Sequence, residues 1–456
     1  MKIFERIIKS KIMLLTRDKI DYRQHGFVGS KSCTSNLVDF CDSLAINMNS
    51  RLRTDVIYFD FAKAFDSVNH DIILRKLKND YGIDGMLLKF ICNYLKDRKQ
   101  SVVLGNHRSS SKSVLSGVPQ GSILGPILFV LFINDLHHGI SEGTNMSLYA
   151  DDTKIWRVIS SESDIKSLQN DIDTLISWTK RNLMKFNKDK CKVLTVHNSH
   201  KIYHIEGVNS PYSLEGFPLK TVEVEKDLGV DITPKLNWEH QILRLCSKAS
   251  QKLGLLRRNC YFVNDKRRAR VLYITLVRSI FQSCSVVWRP TNKTLLTRVE
   301  SIQKRALKWV LNEENLSYSC PVVYVRKCKE LNILPMSHRF DLTDIVLLHK
   351  IIHSISPIKL PFYLHFYTGT SLRSSHLDAY SLVSDIIPNT TASQSRTTNA
   401  FANAYFYRSH VLWNSLPLKI RTIKFPRRFK SELKAYFWKD LSNLESSSFS
   451  DNDIDC

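Results

Sequence analysis

No apolar stretch of this 456-residue chain is long enough to cross a bilayer as a helix. The longest, Ile123–Ile133, is broken by Gly125 and Pro126, whereas a spanning helix needs roughly 18 or more apolar residues. The N-terminus, Met1-Lys2-Ile3-Phe4-Glu5-Arg6, lacks an apolar signal core and a small-residue cleavage site, so secretion is not expected. The ten cysteines contain no CxxC and no regular spacing. Cys320 and Cys328, with His338 further on, fall short of a zinc pattern and read as buried thiols in a reducing compartment. Acidic residues are the scarce charge: 43 Asp and Glu stand against 66 Lys and Arg, for a net +23. Five of those acids lie in Asp440–Cys456, which has no Lys or Arg. So basic a chain calls for a polyanion, either nucleic acid or an acidic membrane surface, and composition alone does not choose. The 43% hydrophobic content excludes a wholly disordered chain, and the length suggests two or three domains.

Hydropathy patterning divides the chain further. Residues 1–50 read as largely helical, with Ile3, Ile7, Ile8 and Leu14 on one face and a second run from Thr34 to Met48. Val56–Phe61 is an apolar strand, followed by a helix over Asn69–Lys78. Ser101–Leu104 and Ser113–Leu115 suggest a hairpin, and Ile123–Leu136 a buried helix entered through a Gly/Pro-rich loop. Met146–Ala150 and Thr153–Val158 read as a hairpin joined at Asp151-Asp152. An amphipathic helix over Ser163–Lys180 and a strand over Lys192–His197 follow. From Leu236 to Cys320 the pattern is helical, with 16 Lys and Arg against five Asp and Glu. Thr370–Asn399 reads as a loop, and a last helix starts at Pro426 with Phe429, Leu433 and Phe437 on one face.

Three carboxylates stand out by their settings. Asp60 ends an apolar strand, and Asp151 and Asp152 sit at a hairpin tip. A carboxylate among apolar residues must be paired, protonated or metal-bound. Three aspartates without His or Cys suit a hard, oxygen-ligating cation, magnesium above all. Between them lies Ser116-Gly117-Val118-Pro119-Gln120-Gly121-Ser122-Ile123-Leu124-Gly125-Pro126, a shaped loop whose backbone can approach a ligand closely.

The order of these motifs is distinctive. DVIYFDFAKAFDSVNH, SGVPQGSILGPILFVLFINDL, LYADDTKIW and NLMKFNKDKCKVL together resemble the reverse transcriptases of non-LTR retrotransposons, the jockey and related LINE-type lineages. Similarity extends back to KIFERII and Gln24-His25-Gly26-Phe27, and onward through Lys226–Val230, RVESIQKRALKWV and Trp413-Asn414-Ser415-Leu416-Pro417.

The resemblance implies an α+β right-hand polymerase palm, an antiparallel sheet with packed helices. With it come partial fingers over 1–50, the palm over 51–235, a basic helical thumb over 236–320, a C-terminal region over 321–439 and an acidic disordered tail over 440–456. It implies RNA-directed DNA polymerisation, with Asp60, Asp151 and Asp152 holding two magnesium ions, manganese being a possible substitute. Phe61 is expected to lend a backbone carbonyl to the metal. Phe65 would disfavour a ribonucleotide 2′-hydroxyl or simply pack in the core. Gln120 and Gly121 would border the incoming nucleotide, and Lys190, with Lys188 as competitor, would protonate the pyrophosphate. Asp66 is expected to cap the following helix. Arg244, Lys248, Lys252, Arg257, Arg258, Lys266, Arg267 and Arg268 are the candidate nucleic-acid contacts, for which scarce acids and salt-sensitive phosphate binding are the physical reason.

The implied partners are an RNA template, a DNA primer, dNTPs and an endonuclease supplied elsewhere, in nucleus and cytoplasm and without a membrane. The family's endonuclease and its Tyr-Arg-Pro-Ile fingers segment have no counterpart before KIFERII, so a truncated element copy or a gene model starting inside one is expected. The competing reading is a catalytically weak remnant that only binds nucleic acid.

Overall fold

The computed structural model describes residues 2–198, 211–263, 265–313, 317–318, 320–368, 378–385 and 398–447, without the side chains of 444–447. Two compact units emerge: Met1–Asn36 with Ser50–Glu225, and Leu37–Asn49 with Lys226–Cys456. The helix Cys33–Asn49 contributes to both.

In the first unit, strands β1 (Arg53–Phe59), β2 (Thr144–Tyr149), β3 (Asp152–Ile159), β4 (Lys192–Val196) and β5 (Lys220–Thr221) form one sheet in the order β5-β4-β1-β3-β2. All its pairings are antiparallel except β5 with β4. β1 is the centre, which is why it reads as a continuous apolar run rather than an alternating one: both its faces are covered. Its register with β3 sets Phe59 opposite Thr153, while Tyr149 faces Asp152 across the β2–β3 hairpin. Asp60, one residue past β1, therefore emerges at the same end as the hairpin turn.

Helices α1 (Lys2–Thr16), α2 (His70–Asn79), α3 (Leu124–Ile133) and α4 (Glu162–Arg181) accompany the sheet. α3 is buried at nearly every position, in keeping with its lack of a polar face. Ile57, Phe59, Leu128, Phe132, Ile172 and Trp178 share one core. α4 starts where Asp164 accepts the Ser160 and Ser161 N–H groups at 3.1 and 3.0 Å, satisfying donors at the helix start. The segment after Gln100 folds as two short ladders, Lys99–Gln100 with Lys112–Ser113 and Val103–Leu104 with His107–Arg108.

The second unit is mainly helical. It contains α5 (Glu239–Asn259), α6 (Lys266–Leu272), α7 (Lys293–Leu311), α8 (Pro321–Glu330), α9 (Met336–Ile352), α10 (Tyr405–Asn414) and α11 (Pro426–Ser447). Phe429, Leu433, Phe437 and Leu441 of α11 are buried in one core with Leu342, Ile345 and Leu348 of α9 and with Trp413. α11 begins at Pro426 as its pattern implies. It also continues through Asp440 to Ser447, because Leu441 extends the four-residue apolar stripe past the first tail acid.

Most of 370–399, and residues 448–456 of the expected tail, lie outside the described residues. Within the expected loop, Leu382–Ser384 forms a strand, β7, paired with β6 (Leu364–Phe366). The Asn414 side chain exchanges hydrogen bonds of 2.9 and 2.8 Å with the Leu382 backbone, and Trp413 Nε1 donates to the Tyr380 carbonyl at 2.8 Å. No described helix is long and apolar enough to cross a membrane.

Phe429 is fully buried and stacks on His349 at 3.9 Å. Phe429→Ala is expected to cost about 3–5 kcal/mol through lost burial and a residual cavity. Urea unfolding checks this, and a change below about 1 kcal/mol would contradict the packing role.

Candidate active site

Past Phe59 the chain stays extended for a short distance. Phe61 bridges Phe186, with the Asn187 N–H donating to the Asp60 carbonyl at 2.8 Å and the Ala62 N–H to the Lys185 carbonyl at 2.9 Å. In that pairing the N–H and C=O of Phe61 point away from Phe186. Its ring packs at 4.6 Å on Phe186. The Asp60 carboxylate, anchored by this backbone, receives the Lys190 ammonium at 3.3 Å from each oxygen. Lys188 is engaged elsewhere, 3.0 Å from Glu215 and over the Phe217 ring, so the geometry separates the two lysines.

The hairpin supplies the second acid. Its two-residue turn is Ala150-Asp151, with Ala150 at φ +56, and Asp152 is already the first residue of β3. Asp151 is half-buried while Asp152 is exposed. The Asp151 carboxyl is raised above the usual carboxylate range by burial and by the charge of Asp60, with Lys190 opposing the shift. Asp60, Asp151 and Lys190 are thus brought together. Asp152 is exposed and opens β3, and among the described residues no three His, Cys, Asp or Glu side chains could jointly hold a metal.

The donor set nevertheless suits a hard divalent cation. Two oxygen-only side chains repel each other at close range, and a cation between them would turn that repulsion into attraction.

The Gly/Pro-rich loop is tied to the segment after Asp60. The Gly117 N–H donates to the Val68 carbonyl and the Val118 N–H to the Phe65 carbonyl, both at 2.8 Å. Gly117 has φ +86, and a Cβ there would stand 2.7 Å from the Asp66 Cα. Gln120 Nε2 donates to Asp66 Oδ1 at 2.8 Å. Asp66 therefore orients Gln120 instead of capping the next helix. Asn69 is the cap, accepting the Asp71 and Ile72 N–H groups, because it immediately precedes α2. Gly121, at φ +72, faces open space. Phe65 is half-buried, stacked on Phe129 at 4.5 Å with Phe27 edge-on at 6.3 Å.

Residues 1–231 match the family model for reverse transcriptase (RNA-dependent DNA polymerase). The chain belongs to the reverse transcriptase family. Its first unit, of helices around a mainly antiparallel central sheet, is consistent with a polymerase palm.

Among similar proteins, the probable RNA-directed DNA polymerase from transposon BS of Drosophila melanogaster is 25% identical over 344 residues, covering 71% of this chain and 36% of that protein. The RNA-directed DNA polymerase from mobile element jockey of the same fly is 24% identical, covering 67% and 34%. The jockey counterpart of Drosophila funebris is 31% identical over 198 residues, covering 41% and 20%. The chain thus spans about a third of the length of the first of these relatives. Reverse transcriptases as a family use divalent metals.

Two supports of the reverse transcriptase site were not assigned from sequence. Gln24 is buried, and its Oε1 accepts the Ala150 N–H at 2.9 Å and the Gly26 N–H at 2.7 Å. Together with the Gln24–Leu148 bridge, this clamps the acidic turn from outside the sheet. Glu5 of α1 is buried and accepts the Ile123 N–H at 2.6 Å, seating the loop where it enters α3. The available signals were a glutamine two residues before a glycine, and Glu5 as the one acid of a basic, amphipathic helix.

Of the basic candidates, Lys248, Lys252, Arg257, Arg258 and Arg267 are exposed. Lys266 and Arg268 are exposed as well, in surface pairs with Glu330 at 3.1 Å and Asp265 at 3.4 Å, whereas Arg244 pairs at 2.7 Å with the buried Asp231.

A Cβ on Gly26 would meet the Ala150 nitrogen at 2.3 Å, a backbone contact that no rotamer relieves. Gly26→Ala is expected to destabilise the protein by about 1–3 kcal/mol in urea unfolding; unchanged stability would contradict the close approach. His25 is the pH-sensitive neighbour. Burial, then Lys31 and Lys154, pushes its pKa down to about 3 from 6.5. With the folded value depressed, its contribution is complete above pH 6.5 and is lost as pH falls toward 3. His25→Gln is expected to show a smaller stability loss than wild type between pH 7 and pH 5. Parallel losses would contradict the assignment.

Proposed function

We propose that this chain is the RNA-directed DNA polymerase of a non-LTR retrotransposon, joining dNTPs to a DNA 3′ end on an RNA template. The observation that carries the reading is the convergence of Asp60, Asp151 and Lys190 in a palm whose sequence matches the reverse transcriptase family. Asp60, Asp151 and the Phe61 carbonyl are the proposed metal donors, with Asp152 as the adjoining third carboxylate. Two magnesium ions, or manganese in their place, would supply the positive charge that activates a 3′-hydroxyl and offsets the charge of departing pyrophosphate.

The chain's own groups do the positioning. Lys190 gives its ammonium proton to the leaving pyrophosphate, and Asp60 keeps that ammonium in place beforehand. Gln120, oriented by Asp66, and the open backbone at Gly121 border the incoming nucleotide. The Phe65 ring, fixed by Phe27 and Phe129, crowds the 2′ position of the sugar. Lys248, Lys252, Arg257, Arg258, Lys266, Arg267 and Arg268 meet backbone phosphates of the template–primer, while Arg244 is held by the buried Asp231. The partners are element RNA and a DNA primer, in nucleus and cytoplasm.

Incorporation of labelled dNTPs on an RNA–DNA primer–template by the purified chain tests this. Asp60→Ala and Asp151→Ala are expected to abolish it, and Asp152→Asn to cost less than Asp151→Asn. Lys190→Gln should lower kcat by about 10²–10⁴-fold, the usual scale for removal of a general acid. Phe65→Ala should admit rNTPs. Incorporation that survives Asp151→Ala, or nucleic-acid binding without any incorporation by wild type, would overturn the enzyme reading.

A further inference from the structure

Within the second unit, four cations from separate segments converge around the turn that ends α8. Arg270 Nε donates to the Leu331 carbonyl at 2.6 Å, and Lys434 Nζ of α11 donates to the neighbouring Asn332 Oδ1, also at 2.6 Å. Asn332 has φ +52, which presents the turn to both. Two more guanidinium groups, Arg278 and Arg339, stand close by. The Nε of each is buried, and neither has a hydrogen-bond partner among the described residues. Each of these cations bears on the charge of the others. Burial, then Arg270, Arg278, Arg339 and Lys430, holds the Lys434 ammonium below its ordinary range. Arg278 is pushed down to about 10 by burial, with Arg339 and Arg270 adding to the effect. An open cleft lined by Lys266, Arg267, Arg270 and Glu330 adjoins the turn. Glu330 is the one acid of that lining, and Lys266 and Lys327 already pair with it at 3.1 and 3.5 Å.

Unpaired buried donors and clustered like charges both penalise the folded chain. A bound anion removes both penalties at once, and forked guanidinium donors match phosphate oxygens in particular. We propose that Arg270, Arg278, Arg339 and Lys434 form a binding site for a backbone phosphate of the template–primer. The site joins the basic helices to α9 and α11, segments with no assigned role. The proposal rests on the polymerase reading for the identity of the nucleic acid.

The test uses the full chain and a labelled RNA–DNA hybrid, read by fluorescence anisotropy across a salt series. Arg339→Gln/Lys434→Gln is expected to weaken binding at least tenfold. It should also flatten the slope of log affinity against log salt by about 1, the one phosphate no longer neutralised. Relief of like-charge repulsion should leave the melting temperature of the free variant equal to or above that of wild type. Inorganic phosphate at constant ionic strength should raise melting in wild type and not in the variant. If the double variant does not fold, Lys434→Gln alone carries the same readouts with a smaller effect.

Unchanged hybrid affinity and salt slope would overturn the proposal, even if phosphate still raised melting, since that would mark a free-phosphate site. A lowered melting temperature with no phosphate response in wild type would also overturn it, by assigning the cations a structural role. The polymerase reading fails separately, through absence of dNTP incorporation by wild type.

Discussion

Two carboxylates that repel each other at the ends of neighbouring strands set the demands on the palm. Asp151 is half-buried and feels the charge of Asp60, a repulsion that the Lys190 ammonium offsets in part and that a cation between the two carboxylates would relieve. The surrounding structure over-determines the arrangement. Register holds β1 against β3, the Phe61–Phe186 bridge extends the chain carrying Asp60, and Gln24 pins the amide of Ala150 in its left-handed turn. Gly26 has no Cβ because the Ala150 backbone occupies that space. Strain held in this way by several independent contacts is characteristic of a site whose ligand completes it.

The basic charge of the chain does two different jobs. Much of it is internal: Arg53 with Asp55, Lys76 with Asp135, Arg244 with Asp231, Arg289 and Arg408 with Asp344, and Arg421 with Asp378 are ion pairs that hold each unit's own elements. The exposed remainder along α5 and α6, and the cluster of Arg270, Arg278, Arg339 and Lys434 around Asn332, is what a polyanion can use. Net charge alone does not separate the two. The distinction depends on which acids fold back onto which helices.

Long, strongly patterned elements were legible in the sequence. The amphipathic α4, the apolar β1 and the Phe429–Leu433–Phe437 face of α11 follow directly from periodicity. The positions of Asp60 and Asp151 followed from motif order. What escaped were contacts between distant residues. The one-turn spacing of basic residues along α5 gives no sign that Asp231, before the helix, consumes Arg244. The string Asp151-Asp152 reads as a turn by propensity, yet the β2–β3 register moves the turn back to Ala150-Asp151 and sends Asp152 into the strand. Asp66 and Asn69 are both good caps by type, and only geometry shows Asn69 doing so while Asp66 reaches Gln120 across the loop. The cluster of Arg270, Arg278, Arg339 and Lys434 draws on segments far apart in the chain, which no local pattern connects.

That the Asp60–Asp151 pair is a divalent-cation site is the premise beneath the polymerase chemistry. The most direct measurement is the melting temperature of wild type and Asp151→Asn across a magnesium titration at fixed ionic strength. A saturable rise in wild type, absent in the variant, is the expected result. Equal responses in the two proteins, or none in either, would contradict it.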